Sequence, residues 1–282
     1  MSDQTAEKID DDRATEMAES LSARTLDLWL ARGAVLAIVA LQLLLVNDLT
    51  PFPRWVMPTL EVLLLAPLAV VPLGVLVALV GWAGGVLGLA PIGTAAAAVT
   101  ALAMGSRAFH LDGLADTADG LTASYDRVRS LAVMRTGDTG PAGAGALVLV
   151  LGVQIGSLTA LLAAPYGPVL AGIAVCVSRG AVLLTCQRSV PGARSDGLGS
   201  TYVGAVSPVA GVVGWLLLTG ALTCGFLLMG EPWWRGPAAT LAAALAVALI
   251  VRRAVSRLGG VTGDVYGASI EASLAVLLLA ST

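Results

Sequence analysis

Residues 142–164 read AGAGALVLVLGVQIGSLTALLAA, twenty-three positions without a single charge. An α-helix rises 1.5 Å per residue and the hydrocarbon core of a bilayer is about 30 Å thick, so about 20 such residues suffice to cross it. Helix is also the required conformation, because backbone groups facing lipid must find their partners within the segment. The same reading extends to runs near 28–46, 60–80, 86–104, 168–187, 205–229, 237–251 and, more weakly, 268–281. The fold class expected is therefore all-α: a polytopic membrane bundle of six to eight transmembrane helices. Composition agrees, at 57% hydrophobic, 12% charged and a mean hydropathy of +0.86. A soluble domain carries about 25% charged residues, and the polar side chains here are too few to cover a water-facing globule of 282 residues.

Charge and cysteine usage exclude further classes. A net charge of −3 offers no basic field for nucleic acid. Lys8 is the only lysine, and no polybasic lipid-binding cluster is present. Cys176, Cys186 and Cys224 all lie in apolar stretches without a C-x-x-C pair, as small buried hydrophobes do. Residues 1–25 hold three basic and seven acidic side chains and no apolar core, so they read as a disordered acidic tail rather than a secretory signal. Residues 26–282 are expected to form one multi-pass membrane domain. Gly84/Gly88 and Gly152/Gly156 have the G-x-x-x-G spacing of close helix packing.

Polar islands interrupt the apolar rhythm at 105–141, 188–204 and 252–267, and these carry most of the arginines. Arginine-bearing loops belong on the cytoplasmic side. Counting spans from 105–141 puts 188–204 and 252–267 on that side, and 165–167 and 230–236 outside. Counting backwards leaves two readings: a full span at 28–46 with the acidic tail outside, or, preferred because of Arg24 and Arg32, a segment 26–46 that enters without crossing and ends at the Pro51–Phe52–Pro53 break.

The densest polar string is His110-Leu-Asp-Gly-Leu-Ala-Asp-Thr-Ala-Asp-Gly120, holding the only histidine of the chain. On a helix Asp112, Asp116 and Asp119 stand at i, i+4 and i+7, one stripe on one face. Such carboxylates repel unless a cation lies between them, and hard oxygen ligands without sulfur suit Mg²⁺ or Mn²⁺. The bland alternative is a solvated loop, since Asp-Gly recurs at 112–113 and 119–120. The mouth of a membrane bundle favours the functional reading, because ionisable groups there are costly. Arg135 and Asp138 among glycines, Arg194 in Ala193–Gly199, and Gly260, Gly263 and Asp264 in Gly259–Gly267 are candidate substrate contacts or further acids. Arg179, inside an apolar run, needs a buried carboxylate or phosphate partner. Together these describe transfer at a phosphate or diphosphate facing the cytoplasm.

The string 110–120 resembles the signature of cobalamin synthases, the adenosylcobinamide-GDP ribazoletransferases. Pro51–Arg54, Ala193-Arg-x-x-Gly197-Leu-Gly199 and Gly259-Gly-x-Thr-Gly-Asp264-x-x-Gly267 are similar to that family in the same order. The resemblance implies the final assembly step of coenzyme B12 in the bacterial cytoplasmic membrane. α-Ribazole, or its 5′-phosphate, attacks the GDP-activated side chain of adenosylcobinamide and GMP leaves. It implies Mg²⁺ held by Asp112, Asp116 and Asp119, phosphate contacts from Arg135 and Arg194, and a base drawn from His110, Asp119 or Asp264. Arg179, Asp138, Gly260 and Gly263 are the remaining substrate-binding expectations, and association with other corrinoid-pathway enzymes is a further one. Thr136 departs from the resembled pattern, in which an Asp directly follows Met-Arg; Asp138 comes two residues later. A CDP-alcohol phosphotransferase would need D-x-x-D-G-x-x-A-R, which is absent. A transporter would suit Arg179 and the broken glycine-rich segments but not carboxylates gathered in one loop.

Overall fold

The computed structural model describes residues 66–282. The expected run at 28–46, the acidic tail and Pro51–Arg54 lie outside them. The described chain is all-helical, and no strand occurs among the described residues. Its helices are α1 (Ala66–Ala69), α2 (Val71–Val86), α3 (Pro91–Gly105), α4 (Phe109–Ala123), α5 (Arg127–Val133), α6 (Pro141–Leu161), α7 (Gly167–Ser178), α8 (Ala181–Thr185), α9 (Pro208–Leu228), α10 (Arg235–Leu258) and α11 (Gly263–Ala280). Five helical stretches are long and apolar enough to cross a bilayer: α6, α7 with α8, α9, α10 and α11. α3 and α4 together make a sixth only as a pair bent by 91°. The polytopic bundle expected from hydropathy is thus the observed architecture.

Boundaries moved where turn chemistry outweighed hydropathy. The runs near 60–80 and 86–104 are cut instead at Leu87–Ala90, where Gly88 is left-handed at φ 64° and Pro91 starts the next helix. The weakest run is among the two most buried: α11 and the α7–α8 stretch are largely enclosed, whereas α6, α9 and α10 leave most of their surface uncovered. Leu216, Leu217, Leu241, Leu245 and Leu249 are among the exposed side chains on that outer surface, which suits a lipid solvent.

The two ends of the bundle differ. Trp82, Tyr166, Trp233 and Trp234 are exposed at α2's end, between α6 and α7, and before α10. Arg107, Arg127, Arg135, Arg188, Arg194 and Arg257 belong to the opposite ends of the same helices. Exposed aromatic rings occur at both ends, Tyr125 lying under Arg257, whereas most of the arginines gather at one, as the positive-inside bias requires. Two buried clusters fill the interior. One, around Leu73, Ala98, Leu158, Leu170, Phe226 and Leu274, occupies the aromatic half. The other, around Met134, Leu183, Val206, Leu258 and Val265, underlies the arginine end.

Of the G-x-x-x-G glycines expected to pack closely, Gly84 does: a Cβ there would overlap the Thr94 side chain of the next helix, whereas one on Gly88, Gly152 or Gly156 would meet nothing within 4 Å. Backbone-to-backbone crossings lie elsewhere. Gly74 of α2 and Gly172 of α7 would each place a Cβ 2.6 Å from the other's carbonyl oxygen. The second tight crossing, α4 on α11, builds the site.

Candidate active site

α4 owes its direction to a strained corner. Arg107 and Ala108 both take left-handed backbone, each at φ 56°, and turn the chain through the 91° bend after α3. Left-handed L-residues cost about 1–2 kcal/mol apiece, so packing must hold the corner. The helix that follows lies across the arginine end of the bundle instead of continuing the crossing. It rests on α11 backbone to backbone. A Cβ on Gly113 would sit 2.8 Å from the Asp264 carbonyl oxygen, and one on Gly267 would sit 3.1 Å from the His110 Cα. Asp264 opens α11, whose first turn is capped by Thr262: its Oγ1 accepts from Val265 N and donates to Asp264 Oδ2 at 3.1 Å.

The acidic stripe exists as a helix face, and its three members meet different surroundings. Asp112 is exposed, Asp116 half-buried and Asp119 buried. Burial, reinforced by the charges of Asp112, Asp264 and then Asp119, pushes the Asp116 carboxyl up to about 6. Asp264, expected near the string from its place in the sequence, is therefore close enough for its charge to act on Asp116. Asp119 points the other way. Its Oδ2 accepts from Gly140 N at 2.7 Å and its Oδ1 from Gly143 N at 2.9 Å. It caps α6, whose own N-cap is a glycine without a side chain to do so. Each oxygen of Asp119 thus accepts one amide hydrogen bond and keeps a further lone pair, and the acids whose charges act on Asp116 are Asp112, Asp264 and then Asp119.

Arginines surround this face in two roles. Arg127 Nη2 donates to Ala193 O at 2.9 Å and Arg257 Nη2 to Ser124 O; both tie loops together. Arg194 Nη2 donates to Leu131 O at 2.6 Å, its Nη1 lies 4.0 Å from Asp264 Oδ2, and its buried Nε has no partner. It is tethered by one nitrogen and available by the others. Arg135 holds both oxygens of Asp196 at 2.6 Å on an exposed surface. Exposed pairs are worth about 0–1 kcal/mol, so a phosphate can take Asp196's place at little cost.

Two clefts flank α4. One of about 170 Å³ is lined by Phe109, Arg194, Asp196, Ser200, Gly263 and Asp264. The other, about 480 Å³, is lined by Asp119, Thr122, Thr136, Asp138 and Thr139. Asp138 therefore belongs to the second cleft and not to the face with Arg194. Gly260 presses on Pro191–Ala193, beside a backbone ladder in which Val261 N donates to Pro191 O and Ala193 N to Val261 O, both at 2.9 Å. Its need for glycine is one of packing. Arg179, expected to bind substrate, is only 2% exposed and lines neither cleft; its Nη1 donates to Ser178 Oγ at 2.9 Å. His110 likewise turns inward, its Nδ1 lying 3.9 Å from Glu271 Oε1. Glu271 and its partner Gln154 were missed by sequence reasoning. An ionisable residue inside an apolar run was the signal available for the first.

Among the described residues no three His, Cys, Asp or Glu side chains are gathered closely enough to enclose a metal by themselves. Mg²⁺ does not need them to be, since it is usually held by one or two carboxylates with water and substrate phosphates completing the shell. A half-buried carboxyl crowded by two other acids, with hard oxygens and no sulfur, fits that ion.

Comparison with known proteins adds independent information. The family model described as cobalamin-5-phosphate synthase matches residues 49–282. A protein of Nocardioides sp. named adenosylcobinamide-GDP ribazoletransferase is 48% identical over 218 residues, covering 77% of this chain and 85% of its own. Proteins of the same name from Frankia casuarinae and Shigella flexneri are 35% and 36% identical, each over 64% of this chain and over 68% and 72% of their own. No solved structure matches the chain.

Proposed function

This chain belongs to the cobalamin-5-phosphate synthase family, and we propose that the face carrying Asp112, Asp116 and Asp264 is where it performs the transfer its relatives are named for. The reaction is the last step of coenzyme B12 assembly. Adenosylcobinamide-GDP and α-ribazole, or its 5′-phosphate, are joined and GMP is released. The matched family's description, naming a 5-phosphate product, favours the phosphorylated nucleoside. A ribose hydroxyl oxygen bonds to the phosphorus bearing the corrinoid side chain, the diphosphate P–O–P bond breaks, and GMP carries away the bridging oxygen.

The observation that carries the assignment is the packing of Gly113 against Asp264, which brings acids 148 positions apart (116 and 264) onto one face. Asp112 and Asp116 would hold Mg²⁺, which when bound neutralises charge on the diphosphate. Arg194, with its unpartnered Nε, binds a non-reacting phosphate oxygen. Arg135 exchanges Asp196 for a second phosphate oxygen. Asp264 takes the hydroxyl proton on Oδ1, the oxygen left free by Thr262. His110, turned into the bundle, is not placed for that task. The arginines gathered at this end orient it to the cytoplasm by the positive-inside rule, in a bacterial cytoplasmic membrane.

The test is GMP release by the purified full-length protein in detergent with adenosylcobinamide-GDP, α-ribazole 5′-phosphate and Mg²⁺. Release that depends on all three supports the reading; no release from folded protein overturns it.

A further inference from the structure

Beneath the acidic face, inside the bundle, a set of polar side chains is walled in by apolar neighbours. Glu271 of α11 is 4% exposed, Gln154 of α6 1% and Arg179, at the junction of α7 and α8, 2%. Gln154 Nε2 donates to Glu271 Oε2 at 2.8 Å and reaches the Glu271 carbonyl oxygen at 3.3 Å. Glu271 Oε1 faces His110 Nδ1, which is buried and has no hydrogen-bond partner. Arg179 leaves Nε and Nη2 unpartnered, and Glu271 is the acid whose charge acts on it most strongly. Side chains of α4 and α6 thus meet one carboxyl group of α11, and the charge of Arg179 acts on it from the α7–α8 junction.

Stability alone does not account for an acid here. Replacing buried charged partners together by apolar residues of similar volume is often neutral or stabilising, so apolar side chains at 179 and 271 would serve the packing as well. Geometry suggests what the acid does. Gly267 stands one turn before Glu271 on the same face of α11, and the His110 backbone touches it. The first turn of α4 is therefore seated on α11 at two points, backbone on Gly267 and imidazole toward Glu271. Asp264 lies one turn further along the same face. We propose that Glu271, fixed by Gln154 and balanced by Arg179, is a positioning residue: through His110 it sets how α4 lies on α11, and so the spacing of Asp112 and Asp116 from Asp264. This rests on the proposed function, since it concerns the geometry of that face.

Steady-state GMP release and thermal unfolding of the purified full-length protein test it. Glu271→Gln is expected to lower kcat roughly tenfold or more, as misplacement of reacting groups does. KM for adenosylcobinamide-GDP should stay within about twofold, and the half-activating Mg²⁺ concentration should rise. Arg179→Gln/Glu271→Gln removes both charges; it should recover the unfolding temperature but not kcat. His110→Gln should reproduce the kcat loss, and His110→Gln/Glu271→Gln should lose no more than either single change. Wild-type kcat in Glu271→Gln, recovery of kcat together with stability in the charge-free double variant, or additive losses with His110→Gln would each overturn the proposal. GMP release by the wild type is the separate test of the proposed function, and the variants are read against an active wild type.

Discussion

Gly113 and Asp264 touch through their backbones: no side chain larger than hydrogen fits at 113, since a Cβ there would lie 3.0 Å from the Asp264 Cα and 2.8 Å from its carbonyl oxygen. Backbone atoms cannot swing aside as a side chain's end can, so any larger residue must push α4 off α11. Gly113→Ala should therefore lower GMP release at least tenfold, by roughly the cost of an ångström-scale misplacement. Gly145→Ala is the matched control. Gly145 lies in α6 with nothing within 4 Å of its Cβ position, and alanine there should leave the rate unchanged and add up to about 1 kcal/mol of helix stability. Rates and unfolding temperatures of the two variants check this.

Asp119 and Asp116 should separate in their behaviour. Asn at 119 keeps one acceptor for the Gly140 and Gly143 amides but turns a donor toward the other. The buried cap then costs about 1–3 kcal/mol, and the unfolding temperature of Asp119→Asn should fall. Activity per folded molecule should fall less than in Asp116→Asn. An Asp119→Asn variant with wild-type stability and no activity would return Asp119 to the metal.

The pH dependence follows from the crowding of Asp116. Its carboxyl ionises at about 6 in the fold against 3.8 ordinarily, so ionisation is harder in the folded chain than in the unfolded one. Without a cation that opposition is complete above about 6 and absent below about 4, so metal-free stability should decline as pH rises between them. A bound divalent ion reverses the preference. The rise in unfolding temperature on adding Mg²⁺ should therefore be small at about pH 5 and should grow as pH passes 6. A Mg²⁺ effect independent of pH across that range would count against Asp116 as a ligand.

The Arg135–Asp196 pair is exposed on both sides, so its loss should hardly change stability. Asp196→Ala frees the guanidinium and should lower KM for adenosylcobinamide-GDP a few-fold, whereas Arg135→Ala should raise it by roughly tenfold, the value of a charge-assisted contact of about 1.5 kcal/mol. Initial rates over a substrate series measure both.

Much of this site was legible in the sequence, and the remainder has identifiable causes. Hydropathy located the spanning helices because lipid imposes that pattern directly, and it misplaced the boundary near 80–90 because Gly88 and Pro91 act through turn geometry. The stripe at 112, 116 and 119 is local periodicity and was readable. What each carboxylate touches is not local. Asp119 is taken by amides 21 and 24 residues onward, while Asp264 arrives from the far end of the chain. Arg179 announced itself as a charge in an apolar run, but its inward course to Ser178 depends on how α7 meets α8. Glu271 carries the same signal, a charge within an apolar run, but its meeting with Gln154 and His110 depends on how α11 packs against α6 and α4.

The central claim is that Asp112, Asp116 and Asp264 form the reacting face. The most direct measurement is GMP release by Asp116→Asn with Mg²⁺ and both substrates at saturation, beside its unfolding curve. The expected result is a rate at least about 10²-fold below wild type, the usual cost of losing one electrostatic contact to a transition state, in a protein that without Mg²⁺ unfolds at or above the wild-type temperature. A folded Asp116→Asn variant releasing GMP at the wild-type rate would contradict it.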